Sequence, residues 1–387
     1  MRIAFLSLVC LLIASAARAQ IEVPIAYLEQ QIEQPPTLSN LDPLPEDLGL
    51  SGAELGLADN ATTGGFLGHD YSLSVHRVPP GGDFLATARD VLDATKLLIV
   101  NAPPTELLAL ADLPEAEGAL IFNASAEDNA LRSADCRANV LHSMTSYAMR
   151  GDALAQLMSK KGWRDLALIA GTHPPDLAFA DALRASTTKF GLTIVGEETW
   201  AFDADIRRNA PQEVPAFTQS LAPHDVLLLS DEVGDFGRYV LYNTWEPRLI
   251  AGSEGVVPVA WSPVVEQWGA AQLQGRFTEI SGRKMRSLDY AAWAAVRSIG
   301  EAVTRTSQAD PGALRSYILS DKFELAGFKG RPMNYRSWNG QLRQPVPLVH
   351  PRALVALAPL EGFLHERTEL DTLGLDAPES ACRAFQE

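Results

Sequence analysis

The stretch LIAGSEGV (residues 249–256) closes a short apolar run, sets one carboxylate, Glu254, between two glycines, and leads into a second apolar run that reaches Val265. That layout puts Glu254 on a tight turn at the mouth of a strand. A carboxylate there can be catalytic, can bind a ligand's amine or a metal, or can face solvent. The elements on either side decide among these.

Outward from the turn, strand-like runs alternate with helical patterns along most of the chain. Strand runs fall at 21–28, 71–78, 97–100 and 119–123, separated by helical patterns at 55–61, 84–95 and 104–111. Ser51 and Glu54 have the spacing of a capping box that opens the first helix. The pattern then restarts. VLHSM (140–144) leads into a long amphipathic helix over 147–161, followed by strands at 166–171, 192–196 and 225–230 and helices at 177–190 and 214–221. Beyond GSEGV come helices at 288–305 and 314–319. The segment 331–349 reads as a β-hairpin turned at Asn339-Gly340.

Short β-rich runs separated by helices imply right-handed crossovers and parallel sheets. Two such sheets in one chain predict an α/β protein of two lobes with a cleft between them. In open parallel sheets ligands sit off the carboxyl ends of the strands, where loops and helix N-termini converge. The candidate contacts are therefore Asn101 and Ala102; Asn123, Ala124 and Ser125; Thr145 within 143–147; Gly171 and Thr172; Ser230, Asp231 and Glu232; and Glu254 within 252–255.

Composition narrows the setting. The chain begins MRIAFLSLVCLLIASAARA, a positive residue, an apolar run and a small-x-small pattern, which predicts a cleaved secretory signal peptide over residues 1–19. Cys10 lies in a poor acylation context, and no other run reaches the ~18 apolar residues a membrane span needs. A free, exported protein in a bacterial periplasm is expected, monomeric and not membrane-embedded. Losing Arg2 and Arg18 takes the formal charge from −16 to −18, a balance that repels nucleic acid and anionic lipid. Cys136 and Cys382 remain as an even pair in an oxidising compartment, which favours one disulfide.

Signatures of catalysis are missing. The chain has no Gly-x-Ser-x-Gly elbow, dinucleotide fingerprint, P-loop or His-Glu-x-x-His motif, so a binding role without a cofactor or a resident metal is expected. His142, His173 and His224 are scattered without ligand spacing. Asp231, Glu232 and Asp235, with Asp203 and Asp205 nearby, form an acidic stretch that could hold a hard cation, but it lacks the EF-hand pattern and reads as a solvated face. Trp200, Trp245 and Trp261 read as packing residues, with Trp200 and Trp261 as candidate walls of the cleft.

The order of elements and the GSEGV turn resemble the type I periplasmic binding proteins of the leucine/isoleucine/valine class, from Ile21 to about Pro359. Amino-acid-binding members carry Gly-Pro-Glu-Gly-Val at the turn, with the glutamate on the ligand's α-ammonium group; Glu254 matches that glutamate. SLDYAAWAAVRSIGEAV (287–303) also resembles the family's helix after the second crossover. The resemblance implies two lobes joined by three crossovers at a hinge, a small-molecule ligand between them, and the permease subunits of an ABC transporter as partners. The expected boundaries are 20–143 with 271–325 for lobe one and 144–270 with 326–365 for lobe two. The tail, 366–387, would pack on lobe one.

Three further segments, ADCRANVLHS (134–143), FKGRPMNYRSWNGQLRQPV (328–346) and EGFLHERTELDTLGLD (361–376), resemble a subgroup tied to pyrroloquinoline-quinone-dependent alcohol oxidation. The strand-end loops depart from the amino-acid binders, which hold an α-carboxylate after the third and fourth strands. After the third strand, Pro103 and Pro104 remove backbone donors. After the fourth, Ser125 keeps a hydroxyl and N–H donors. Half of the carboxylate grip is kept, which points away from a standard branched-chain amino acid. The alternatives are an accessory enzyme of the same oxidation system, or a sensor that presents its ligand to a receptor.

Overall fold

The computed structural model describes residues 20–33, 44–201 and 206–386. The segment 1–19, expected to be a signal peptide, and the carboxylates Asp203 and Asp205 lie outside them. The first lobe is built on β1 (Ile21–Gln30), α1 (Leu50–Leu67), β2 (His69–Val78), α2 (Phe84–Ala94), β3 (Leu97–Asn101), α3 (Pro104–Ala111), β4 (Leu120–Asn123) and β5 (Val140–His142). These strands form one parallel sheet in the order β2-β1-β3-β4-β5. The alternation of a strand separates its faces. Val23, Ile25 and Tyr27 pack with Leu97, Ile99 and Phe122 on one side, and Ala26 and Leu28 with Leu98, Val100 and Ile121 on the other. Helices cover both faces, so the central strand β3 reads LLIV without polar interruption.

The second lobe repeats the design with α4 (Tyr147–Lys161), β6 (Asp165–Ala170), α5 (Pro174–Lys189), β7 (Thr193–Thr199), α6 (Ile206–Thr218), β8 (Val226–Ser230), α7 (Gly237–Val240) and β9 (Leu249–Gly252). Its parallel sheet runs β7-β6-β8-β9. The chain continues through β10 (Val257–Pro258), α8 (Ala270–Ser281), α9 (Ser287–Thr306), α10 (Pro311–Ile318), β11 (Asn334–Tyr335), β12 (Leu342–Arg343), β13 (Val346–His350) and β14 (Ala353–Ala358). The strands β10, β13 and β14 form an antiparallel sheet beside lobe two, which the sequence reading did not anticipate, and neither did it anticipate α8.

Several local expectations are corrected. The first helix spans 50–67 and starts after Gly49, and the Ser51 hydroxyl donates to Asp47 at 2.5 Å instead of capping. Its small residues serve close packing on α9, because a Cβ on Gly52 would lie 1.9 Å from the Asp289 carbonyl. The helix expected at 214–221 begins at Ile206 and contains Pro211 and Pro215. The hairpin is shorter than the pattern suggested: β11 and β12 pair over two residues each, and β13 leaves for the other sheet. Asn339 is fully buried, donating to the Arg132 carbonyl at 3.2 Å and accepting from Gln341 N–H, so it is a packing residue and not an exposed turn.

The lobe boundaries at 270 and 325 also move. Ala260, Trp261 and Val265 pack into the core of lobe one, which puts the second crossover near residues 258–260. Met333, Tyr335 and Leu342 belong to the same core, while Val346 and Leu348 enter that of lobe two, so the third crossover lies at 343–345. The tail does not rest on lobe one alone. Leu373 is part of the lobe-two core and Gly374 N–H donates to Asp152 at 2.8 Å, whereas Phe385 packs against lobe one. The Cys136–Cys382 disulfide fastens its end.

The turn after β9 depends on its glycines. Gly252 has φ 124° and Gly255 φ 79°, and a Cβ on either would lie 2.1 Å from a carbonyl oxygen, of Leu229 and Ile250 respectively. No L side chain fits there. Gly252→Ala is therefore expected to destabilise the protein by about 2–5 kcal/mol through strain and overlap, read as a lower denaturant midpoint; an unchanged midpoint would refute the turn geometry. The disulfide joins residues 246 apart in sequence. In the chain-entropy model, Cys382→Ser should cost up to about 5 kcal/mol. Titration of the unreduced, denatured chain from Gln20 onward should find no free thiol, and two would contradict the bridge.

Candidate functional site

The carboxyl ends of the two parallel sheets carry the candidate residues, and most of them prove to be tied to the chain itself. After β4, Asn123 is fully buried; its Oδ1 accepts from the N–H groups of Ser125 at 3.2 Å and Ala126 at 2.9 Å. Its Nδ2 donates to the Ala126 carbonyl and to His142 Nδ1. Burial and the nearby Arg132 charge hold His142 well below the usual histidine range, so its ring is neutral and accepts that bond. Ala124 lies in the core with its N–H on the Val100 carbonyl at 3.0 Å. The Ser125 hydroxyl accepts from Ala102 N–H and donates to the Ala102 carbonyl, at 3.0 and 3.1 Å. These contacts use the N–H groups of Ala102, Ala124, Ser125 and Ala126. Asn101 donates to Tyr27 Oη and Glu29 Oε1.

In lobe two, Ser230 is fully buried and its hydroxyl donates to the Asp176 carbonyl at 2.6 Å. Asp231 accepts the N–H groups of Asp235, Phe236 and Gly237 at 2.8, 3.0 and 2.6 Å, which closes the loop ahead of α7. Burial pushes its carboxyl up, and those three N–H groups pull the other way. The acidic stretch is thus not a solvated face at Asp231, which is 4% exposed. Asp235 binds His173 Nε2 at 2.7 Å. Among the described residues no group of three or more His, Cys, Asp or Glu is arranged to hold a metal ion. Trp200 stacks on Phe236 and Trp261 on Tyr290, each within a lobe core and not as a cleft wall.

Thr145 leads to the residues that sequence reasoning missed. Its hydroxyl donates to Glu127 Oε1 at 3.0 Å. Arg150, in the first turns of α4, donates from Nη1 to Glu127 Oε2 and Glu232 Oε2, both at 2.5 Å, and from Nη2 to Glu232 Oε1 at 2.9 Å. Glu127 belongs to lobe one and Glu232 to lobe two, so this guanidinium bridges the lobes. It stacks 4.2 Å over the Phe179 ring and is 6% exposed. Burial acts against its charge, but the two carboxylates outweigh that and strengthen it. Burial pushes the Glu127 carboxyl up, opposed by Arg150 and reinforced by Glu232. A cation near a helix N-terminus is disfavoured by the helix dipole, and Arg150 in YAMRGDALAQLM was the available signal.

The GSEGV turn joins this group through Ser253. Its hydroxyl donates to Glu232 Oε1 at 2.7 Å and accepts Asp231 N–H at 2.9 Å. Glu254 is half-buried on the crest of the turn, and its stem packs against Gly237, where an added Cβ would come within 3.1 Å of its Cγ. The strand ends therefore gather two carboxylates, Glu127 and Glu232, around one arginine, and Ser253 ties Glu232 to the turn that carries Glu254. This surface suits a cationic group better than an anion.

Comparison with known proteins gives this geometry a context. No curated protein sequence matches the chain. Among solved structures, a branched-chain amino acid ABC transporter periplasmic ligand-binding protein from Burkholderia xenovorans superposes with TM-score 0.72 at 15% identity, covering 94% of this chain and all of that one. A leucine-, isoleucine-, valine-, threonine- and alanine-binding protein from Brucella ovis, in a closed conformation, gives 0.66 at 15% identity over 88% and 92% of the two chains. A solute-binding protein of an ABC transporter from R. palustris, in complex with benzoate, gives 0.64 at 12% over 93% and 99%. At such identities the likeness establishes the two-lobed α/β fold. The profile of a family of binding proteins, not of enzymes, matches residues 48–353. On that match the chain belongs to the periplasmic binding protein family.

Proposed function

We propose that this chain is the periplasmic substrate-binding component of an ABC transporter, capturing a small solute with a cationic nitrogen between its lobes and delivering it to the membrane permease. The observation that carries the reading is Glu254, raised at the end of β9 by two glycines that no other residue can replace. Family membership supports the transport role. As the lobes close and water leaves, a carboxylate gains strength against an ammonium group. The solute shifts the open–closed equilibrium by its differential affinity for the two states, and the closed form docks on the permease.

The link to quinone-dependent alcohol oxidation is part of this proposal and rests on the three segments at 134–143, 328–346 and 361–376. They touch one another around the hinge. Gln341 Nε2 donates to the His142 carbonyl, Gln344 Nε2 to the Ser143 carbonyl, and Arg336 Nε to Asp371. What they share is a joint between lobes, which bears on the physiological setting and not on ligand chemistry. The strand-end donors of lobe one, already bonded within the chain, argue against an α-amino acid held in the manner of the branched-chain binders.

Native mass spectrometry of freshly purified protein identifies a co-purified solute, and calorimetry then compares wild type with Glu254→Gln. Loss of the charge should weaken binding by about 1.5–3 kcal/mol, the scale of a charged hydrogen bond, with the melting temperature of the empty protein nearly unchanged. Equal affinity in the two proteins would sink the reading of Glu254, and tighter binding in the variant would identify an anionic solute.

A further inference from the structure

Glu127 occupies a position made for a carboxylate. A hydroxyl from Thr145 and a guanidinium from Arg150 converge on its two oxygens, at 3.0 and 2.5 Å. Charged donors of this kind are what a free carboxylate seeks. Glu232 covers the Nη1–Nη2 edge of the same guanidinium and is itself fixed by the Ser253 hydroxyl. The Arg150 Nε has no acceptor among the described residues, although Arg150 is more than nine-tenths buried. The backbone donors beside Glu127 are already bonded within the chain, through the Asn123 and Ser125 side chains and the Val100 carbonyl.

We propose that Glu127 is a specificity-determining residue: it fills the carboxylate position of the cleft from within, so the cleft rejects solutes that bear a carboxylate and accepts amines that lack one. The inference rests on the reading that a solute binds between the lobes with its nitrogen on Glu254. Glu127 and Glu232 set two carboxyl groups against the single guanidinium of Arg150. An incoming carboxylate would have to dislodge Glu127 from Arg150, leaving it buried without a counter-ion, or sit beside it as a further like charge. An ammonium group meets neither obstacle. Specificity of this form comes from a built-in repulsion and not from an added contact.

Three probes separate the groups. Norleucine, hexanoate and pentylamine share an aliphatic chain and carry both groups, the carboxylate alone and the amine alone. Calorimetry on the full chain should show wild type binding pentylamine more tightly than the other two by about tenfold or more, the scale of a charged contact. In Glu127→Gln, which keeps the shape and the bond to Thr145, hexanoate and norleucine affinities should rise by about tenfold or more as Arg150 is freed. Glu127→Asp, which withdraws the carboxylate while keeping its charge, should give a smaller gain in hexanoate affinity and stands in if the first variant does not fold. A merely structural role for Glu127 would give no gain. Hexanoate affinity no higher in either variant than in wild type would overturn the proposal, as would wild type binding norleucine as tightly as pentylamine. Failure of the Glu254 reading looks different: pentylamine binding would be unmoved by Glu254→Gln, while the hexanoate gain in Glu127→Gln persisted.

Discussion

One buried guanidinium, Arg132, holds the junction on which the rest of the architecture depends. It donates from Nη1 to the carbonyls of Ala126 and Asp128, from Nη2 to that of Met144, and from Nε to Gln341 Oε1. Its own carbonyl accepts from Asn339 and Ser380. The strand-end loop of lobe one, the first crossover, the hairpin and the tail thus meet on one residue that is 2% exposed. Burial draws its pKa down to about 10, with no carboxylate bonded directly to it among the described residues. Such a group is costly to desolvate and is retained where its hydrogen bonds are satisfied. Gln341 extends the junction by donating to the His142, Met144 and Leu342 carbonyls. The strand connections on either side are thereby fixed, and with them the approach of the two sheets' carboxyl ends.

From that junction the chemistry of the cleft follows. The 124–128 loop that Arg132 braces carries Glu127, and the first crossover leads directly into the helix that carries Arg150. Tyr147 N–H donates to the Glu127 carbonyl, and Ala148 N–H to Asn129, so the N-terminus of α4 is bound to the same loop. On the opposite lobe Ser253 stands where the resemblance to amino-acid binders sets a proline. It gives an N–H to the Leu229 carbonyl, which a proline lacks, and a hydroxyl to Glu232. This single departure connects the turn bearing Glu254 to the bridge between lobes. It explains how a family motif can be kept while its electrostatic surroundings change.

The sequence made the parallel sheets legible because periodicity reports burial: LLIV and VLLLS are short apolar runs between helical patterns, which suits strands covered on both faces. GSEGV was legible as a turn because its glycines have no substitute. Other features were hidden for physical reasons. Asn339-Gly340 has the local chemistry of a tight hairpin, but the Asn339 amide is used by the hinge, a long-range demand no local window contains. The crossovers near 258–260 and 343–345 were misplaced because Trp261 and Tyr335 have the same apolar character in either core. The site was the least legible part. Asn123, Ser125, Ser230 and Asp231 are polar residues at strand ends, where both a ligand contact and a loop brace would put them, and hydrogen-bond partners alone distinguish the two. Glu127 and Arg150 are 23 residues apart in sequence and meet only across the lobes.

Closure of the two lobes about this junction around a small solute would change the dimensions of the molecule in solution. Small-angle scattering of the purified chain, with and without the solute found by native mass spectrometry, tests it most directly. The empty protein should give a pair-distance distribution with two overlapping maxima, and the radius of gyration should fall once the solute is bound. A single compact distribution that the solute leaves unchanged would contradict closure.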